Sequence, residues 1–350
     1  MVKSNPFTII FGMEPQSEIP RKEEFNKVVM DFESPVPSTL GYVITGVRGC
    51  GKTVLMSSIQ NHFSKNSAWY VLRLNPDLDL FSSAISQLTE FIHPQKEMIS
   101  EISVSIAGFG GGFATRSLSD NENLLRKLLK AVSKEKKRVL IVIDEASNTK
   151  NLRTFSHSFQ AFIGEKLPVF LLMTALPENF SALSNSKNGT FLRRLPRIKL
   201  QGLSPILIEE KYSQIFSVPL ETAIEFSKTV MGYPYAFQLL GAILWDQGKK
   251  QIDEKVLSEY DAMLYDGSYK AIWDRLTEKG RLIIRAIAHS SSSSVKEIRE
   301  ECGMESNQFS PYREGLKENG LILTDSYGKI FFALPRFREF VIRIEQYYIS

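Results

Sequence analysis

Gly46-Val47-Arg48-Gly49-Cys50-Gly51-Lys52-Thr53 reads G-x-x-x-x-G-K-T, the pattern of a phosphate-binding loop. The stretch before it, Tyr42-Val43-Ile44-Thr45, is apolar and β-branched, as a buried strand is. The stretch after it, Val54-Leu55-Met56-Ser57-Ser58-Ile59, has helical spacing. Glycines let several backbone N–H groups converge on one phosphate, and the helix that follows adds its positive end. On this reading Gly46, Val47, Arg48, Gly49, Cys50, Gly51, Lys52, Thr53 and Val54 form the nucleotide contact set. Lys52 reaches the β- and γ-phosphates, and the Thr53 hydroxyl binds magnesium. The alternative is a glycine-rich turn met by chance.

Working outward, Val139-Leu140-Ile141-Val142-Ile143-Asp144-Glu145 is the second decisive stretch. Five apolar residues make a strand buried on both faces. Two carboxylates follow at its carboxyl end, where open α/β sheets bind ligands. Asp144 is the expected magnesium ligand, through water, and Glu145 the residue that orients and deprotonates an attacking water. Leu167 to Thr174 is another buried strand. If it lies beside the phosphate-loop strand, Thr174 can meet the γ-phosphate or the water. It can equally be a strand-end cap for the turn at Pro177. Arg193 and Arg194, before the strand Arg197-Ile198-Lys199-Leu200, could reach a phosphate in this chain or a neighbour. They also read as edge-strand charges that resist sheet-to-sheet pairing.

The chain has 350 residues, more than one ordinary core holds, so two or three domains are expected. Hydrophobic residues make up 43% and charged residues 23%, the balance of a soluble globular protein. A net charge of +4 permits contact with a polyanion without arguing for one. Two cysteines, Cys50 and Cys302, exclude a disulfide framework and fit a reducing compartment. Cys50 reads as a small inert spacer or as a redox-sensitive thiol in the loop. The opening Met1-Val2-Lys3-Ser4-Asn5-Pro6 does not resemble a signal peptide, and no apolar run is long enough to span a bilayer. A cytoplasmic location without membrane contact is expected.

The first forty residues are punctuated by Pro6, Pro15, Pro20, Pro35 and Pro37 and should be largely extended. Arg21 to Phe32 is the exception, a short helix. Ile19-Pro20-Arg21 is a candidate adenine contact, with a solvated helix start as the alternative for Arg21. Further on, a strand is expected over Ala68 to Leu74, and helices over Leu78 to Ile92 and Leu124 to Val132. Ile102 to Ile106 alternates like an exposed strand. It leads into the glycine run Gly108 to Phe113, which reads as a hairpin turn because it lacks a G-K-[ST] ending.

From Leu203 the pattern turns helical. Ser204 is expected to cap Pro205 to Phe216. Helices follow over Leu220 to Met231, Pro234 to Trp245 and Lys255 to Tyr265. The turn Gly232-Tyr233-Pro234-Tyr235-Ala236 is a candidate purine-side contact. From Leu276 three helices are expected, the last over Ser306 to Asn319 with Ser306 as cap. A hairpin then turns at Asp325-Ser326-Tyr327-Gly328. Three helices and a two-stranded wing describe a winged helix-turn-helix, whose third helix can enter the major groove of DNA. Here that helix would show Asn307, Gln308, Ser310, Tyr312, Arg313 and Lys317. This segment carries eleven Lys plus Arg against ten Asp plus Glu, and Glu314 and Glu318 lie on the same helix. So weak an excess leaves DNA binding level with a protein-interaction or packing role.

With these residues placed, the sequence resembles the AAA-type ATPases of prokaryotes that carry a helical lid and a C-terminal winged helix. These are the archaeal-type ATPases, the STAND switch ATPases and the origin-recognition ATPases. Gly46 to Thr53 and Ile141 to Glu145 carry the resemblance most specifically. Gly232 to Ala236 looks like the Gly-Leu-Pro-Leu-Ala lid motif of STAND proteins, which implies that Pro234 lies near the nucleotide. The resemblance also implies a sensor role for Thr174 and an arginine-finger role for Arg193 or Arg194. No arginine stands between Gly232 and Trp245 to serve as the lid sensor of the origin-recognition branch. The expected fold is α/β: a P-loop AAA-type parallel sheet with helices on both faces, then an all-helical lid and a C-terminal winged helix-turn-helix. The expected domains are 1–202, 203–275 and 276–350. The expected function is a slow, magnesium-dependent ATPase switch that passes the ATP or ADP state to a winged helix binding DNA or a protein, with a homo-oligomer as an open alternative. The rivals are a non-catalytic nucleotide-bound DNA-binding regulator and a P-loop kinase.

Overall fold

The computed structural model describes residues 4–10, 15–92, 118–186, 189 and 191–349. The expected strand Ile102 to Ile106 and the glycine run Gly108 to Phe113 lie outside these residues. Two compact units divide the chain. One comprises Arg21–Thr45 and Lys52–Lys199, the other Met1–Pro20, Gly46–Gly51 and Leu200–Ser350.

The first unit is a five-stranded sheet in the order β2-β3-β4-β1-β5. The strands are β1 Gly41–Thr45, β2 Trp69–Leu74, β3 Arg138–Ile143, β4 Val169–Ala175 and β5 Arg197–Lys199. Every pairing is parallel. The order follows from the residues. β1 and β4 are buried along their whole length and β3 nearly so, which suits the centre. The edge strands carry exposed Arg73, Arg197 and Lys199, charges that discourage a further strand.

Helices cover both faces. On one, Phe32 and Phe63 of helices Lys22–Glu33 and Lys52–Ser64 meet Trp69 and Phe170 of the sheet. On the other, helices Leu80–Phe91, Leu118–Lys134 and Lys150–Gly164 bury a cluster that includes Phe81, Phe155, Phe159 and Phe162. Phe155, Phe159 and Phe162 are fully buried, and truncating any one to alanine should cost about 3–5 kcal/mol.

The second unit is mostly helical. Its helices include Pro205–Phe216, Leu220–Val230, Pro234–Asp246, Glu254–Leu264, Lys270–Arg275 and Glu278–His289. Val295–Glu301, Ser306–Glu318 and Phe337–Ile349 follow, with an antiparallel hairpin of β6 Ile322–Thr324 and β7 Ile330–Phe332. Two expected caps are corrected. Ser204 stands at the N-cap of its helix but makes no side-chain capping bond. Ser306 is the first helical residue rather than the cap, and Glu305 takes the N-cap place. Elements beyond those expected include helices Lys150–Gly164, Pro177–Ser184, Lys270–Arg275 and Phe337–Ile349, and a π-helical turn over Tyr265–Tyr269 that begins where a helix was expected to end.

Candidate functional site

β3 and β4 run parallel with Ile143 opposite Met173, so the next residue of each strand, Asp144 and Thr174, also meet. The Thr174 hydroxyl donates to Asp144 Oδ1 at 2.5 Å. β4 also lies beside β1, with Thr174 opposite Ile44. Helix Lys52–Ser64 starts just after β1, and the Thr53 hydroxyl donates to Asp144 at 3.1 Å from Oδ2 and 3.3 Å from Oδ1. Lys52, Thr53, Asp144 and Thr174 thus come from the carboxyl ends of β1, β3 and β4, the side on which such sheets bind ligands.

Glu145 has φ of 53°, a left-handed conformation that costs a non-glycine residue about 1–3 kcal/mol. Two bonds hold it there. Its N–H donates to Thr174 Oγ1 at 2.9 Å and Asp144 Oδ1 at 3.1 Å. The Glu145 side chain is exposed while Thr174 is fully buried. Thr174 therefore acts on Asp144 and the Glu145 backbone in this structure.

Thr53 and Asp144 offer one hydroxyl and a carboxylate within hydrogen-bond distance of each other, an all-oxygen donor set. Hard oxygen donors with a single carboxylate, completed by phosphates and water, suit magnesium. A third group stands nearby. The Arg73 guanidinium lies 3.9 Å from Asp144 Oδ2.

The loop itself, Gly46–Gly51, belongs to the second unit, and there two of its carbonyls accept from residues of the same unit. The Tyr233 hydroxyl donates to the Arg48 carbonyl at 2.6 Å, and the Tyr235 N–H to the Gly49 carbonyl at 3.2 Å. Tyr233 has one hydroxyl proton. Its second contact, Ser268 Oγ at 2.8 Å, must then be a bond that Ser268 donates. Burial pushes the Tyr233 phenol well above its ordinary value, so it stays protonated and able to donate. Gly49 has φ of 76°, and a Cβ there would stand 2.4 Å from the Tyr233 hydroxyl. Gly267, in the π-helical turn, leaves room for Tyr235, whose hydroxyl would be 2.1 Å from a Cβ. Cys50 is buried, and a Cβ at Gly46 would meet its sulfur at 2.5 Å. Val47 packs against the core of this unit.

The remaining expected residues fall as follows. Pro234 opens helix Pro234–Asp246, directly between Tyr233 and Tyr235. Arg21 stands at the N-cap of helix Lys22–Glu33, 3.7 Å from Glu24. Val54 lies in the first turn of helix Lys52–Ser64. Arg193 and Arg194 end a short 3-10 turn before β5, and Arg193 donates to the Ser184 carbonyl at 2.9 Å. β5 runs parallel to β1 with Val43 opposite Arg197, so these arginines sit toward the amino ends of the strands. Thr53 and Asp144 are at the carboxyl ends. The structure does not bring Arg193 or Arg194 to them. On helix Ser306–Glu318, Asn307, Gln308 and Lys317 are exposed. Ser310 is half-buried and donates to the Ser306 carbonyl at 2.8 Å. Lys279 lies over the Tyr312 ring, 5.6 Å from its centroid, and Arg313 pairs with Glu314 at 3.1 Å.

Three contributors were not read from the sequence: Arg73, the Tyr233 hydroxyl and Ser268. Arg73 is a lone charge near the end of an apolar strand, a signal that went unused. Ser268 had none, since a π-helical turn leaves no periodic mark.

Known proteins bear on this geometry. Residues 21–230 match a family described as an ATPase domain predominantly from Archaea. Residues 266–341 match a domain of unknown function. No curated protein matches the chain. Among solved structures, a Walker-type ATPase of Pyrococcus abyssi is similar, with a TM-score of 0.66 at 15% identity. The match covers 93% of this chain and 96% of that one. The ORC2 protein of Aeropyrum pernix, in ADPNP and ADP complexes, is similar with a TM-score of 0.59 at 13% identity, over 97% and 98%. At such identities these likenesses speak for the fold, an AAA-type P-loop architecture shared with origin-recognition proteins.

Proposed function

The chain belongs to the family of ATPase domains found predominantly in Archaea, and we propose that it works as a slow ATP-driven switch. The observation that carries this reading is the pair of bonds from Tyr233 and Tyr235 to the carbonyls of Arg48 and Gly49. A phosphate bound by the loop engages N–H groups of the same peptide units whose carbonyls the lid holds. A change at the phosphate then turns those peptides and alters the lid's bonds. The difference between the ATP- and ADP-bound contacts must supply the energy of any shift.

In the hydrolytic step Lys52 binds the β- and γ-phosphates, and Glu145 takes a proton from the attacking water. Thr53 and Asp144 would hold a magnesium ion, which supplies neutralisation of phosphate charge. Thr174 fixes the Asp144 carboxylate and the backbone of Glu145. Arg193 or Arg194 is proposed to act on a neighbouring subunit's nucleotide, a role that exists only in a homo-oligomer. Arg21 and Pro234 are proposed to border the base. The lid is taken as 203–275 and the winged helix as 276–350.

For the winged helix, a protein partner is favoured by one observation. Leu323 and Phe331 face each other across the wing, 55% and 44% exposed, with Tyr327 at its tip. An apolar wing on a nearly neutral domain suits a protein face better than a phosphate backbone. Binding of duplex DNA at low salt that weakens on Lys317→Ala would support the DNA reading instead.

The test of the proposal is ATP turnover with product identification. Free phosphate and ADP, released at a rate that falls when magnesium is chelated, are expected. A phosphorylated small molecule or protein would support a P-loop kinase. Tightly retained ADP with no turnover would support a non-catalytic regulator.

A further inference from the structure

Arg73 stands where an arginine is wanted and Arg193 and Arg194 do not reach. It lies on β2, next to β3, with Leu74 opposite Ile143 and so close to the level of Asp144. Side chains alternate along a strand. Leu72 and Leu74 enter the core on one face, so Arg73 points to the other. Trp69 shares that face, and its ring lies 4.4 Å from that of Phe63 on helix Lys52–Ser64. Arg73 is therefore on the face that carries the helix opening with Lys52 and Thr53.

Its backbone is fixed while its side chain is not. Among the described residues β2 is an edge strand, so the outward N–H and C=O of Arg73 have no strand to pair with there. Gln87 takes both: its Oε1 accepts from the Arg73 N–H at 2.9 Å, and its Nε2 donates to the Arg73 carbonyl at 2.8 Å. The side chain is 55% exposed, and its guanidinium is 3.9 Å from Asp144 Oδ2, beyond a direct hydrogen bond. It is held near the carboxylate by charge and remains able to turn.

We propose that Arg73 is the γ-phosphate-binding arginine of this site, supplied by the same chain. A P-loop ATPase brings magnesium and the γ-phosphate to its Thr and Walker B Asp. Here those residues are Thr53 and Asp144, and Arg73 adjoins the latter. Without nucleotide the guanidinium balances Asp144. With its charge on Asp144 no longer needed, the guanidinium would turn to the γ-phosphate oxygens, where it can bind through two N–H groups at once. ADP lacks those oxygens, so Arg73 distinguishes the two nucleotides.

The inference rests on the ATPase reading above, and the experiment separates the two. Equilibrium affinities for ADP and for a non-hydrolysable ATP analogue, both with magnesium, are measured on wild type, Arg73→Ala and Arg73→Lys. Arg73→Ala should lose about tenfold in affinity for the ATP analogue, with ADP affinity held within about twofold. Arg73→Lys should recover part of the loss, because it keeps the charge without the planar fork. Equal weakening of both nucleotides would mean that Arg73 serves only to balance Asp144, and would overturn the assignment. An unchanged ratio of the two affinities would overturn it as well. If wild type binds neither nucleotide, the ATPase reading falls and takes this inference with it.

Discussion

The two places where this chain prepares for a phosphate are built in opposite ways. At the carboxyl ends of β3 and β4, the parts are set by strand register. Asp144 and Thr174 meet because Ile143 and Met173 pair, and Thr53 joins them from the first turn of its helix. At the loop, no ladder is at work. Arg48 and Gly49 are held through their carbonyls by two tyrosines nearly two hundred residues away, one of them steadied by Ser268. The first arrangement is suited to chemistry, which needs fixed geometry. The second is suited to reporting, because a few hydrogen bonds can be exchanged at small cost. The comparison teaches that fixed side chains at strand ends and exchangeable bonds on loop carbonyls suit different tasks.

Substitutions can break or sharpen that division. The largest effect is expected from Lys52→Ala, which should abolish nucleotide binding in a calorimetric titration, since Lys52 is the cation assigned to both the β- and γ-phosphates. Glu145→Gln should follow. It should leave affinity intact and slow phosphate release by about a hundredfold to ten thousandfold, the range for a lost general base. Undiminished turnover would take Glu145 out of the chemistry.

Gly49→Ala tests the loop side. The new Cβ meets the Tyr233 hydroxyl and sits on a backbone at positive φ, and about 1–3 kcal/mol of destabilisation is expected in denaturant unfolding. Tyr233→Phe is expected to cost less in binding than Lys52→Ala. It strands the Arg48 carbonyl and the Ser268 hydroxyl in a buried place, a loss of about 1–3 kcal/mol in stability. Ser268→Ala keeps the bond to the loop and should be the mildest, about 1 kcal/mol. If Tyr233→Phe slowed hydrolysis as much as Glu145→Gln, the separation of chemistry from reporting would fail.

The legibility of the two places in the sequence divides along the same line. Gly46 to Thr53 and Val139 to Glu145 announce themselves because strands and phosphate loops leave local signatures. Buried strands are apolar runs, and a loop that bares its N–H groups needs glycine. The family likeness and the sheet were readable for that reason. The turn Gly232 to Ala236 was also placed between two helices, with Gly232 at φ of 74° after a helix that ends at Val230. Its working part was not. That Tyr233 would spend its hydroxyl on a carbonyl of Arg48 depends on tertiary placement alone. The π-helical turn that presents Ser268 and Gly267 has no period to read. Arg73 shows a different gap. An exposed charge on an edge strand has an ordinary explanation, and only the position of Asp144 beside it suggests another. Arg193 and Arg194 show the reverse, since a suggestive pair of arginines falls at the far end of the strands.

The measurement that tests the central claim most directly is amide hydrogen exchange across residues 231–269, with ADP and with a non-hydrolysable ATP analogue, in wild type and Tyr233→Phe. The account predicts protection in this segment that differs between the two nucleotides in wild type and converges in the variant. Equal protection with both nucleotides in wild type, from a protein that still binds and hydrolyses ATP, would contradict it.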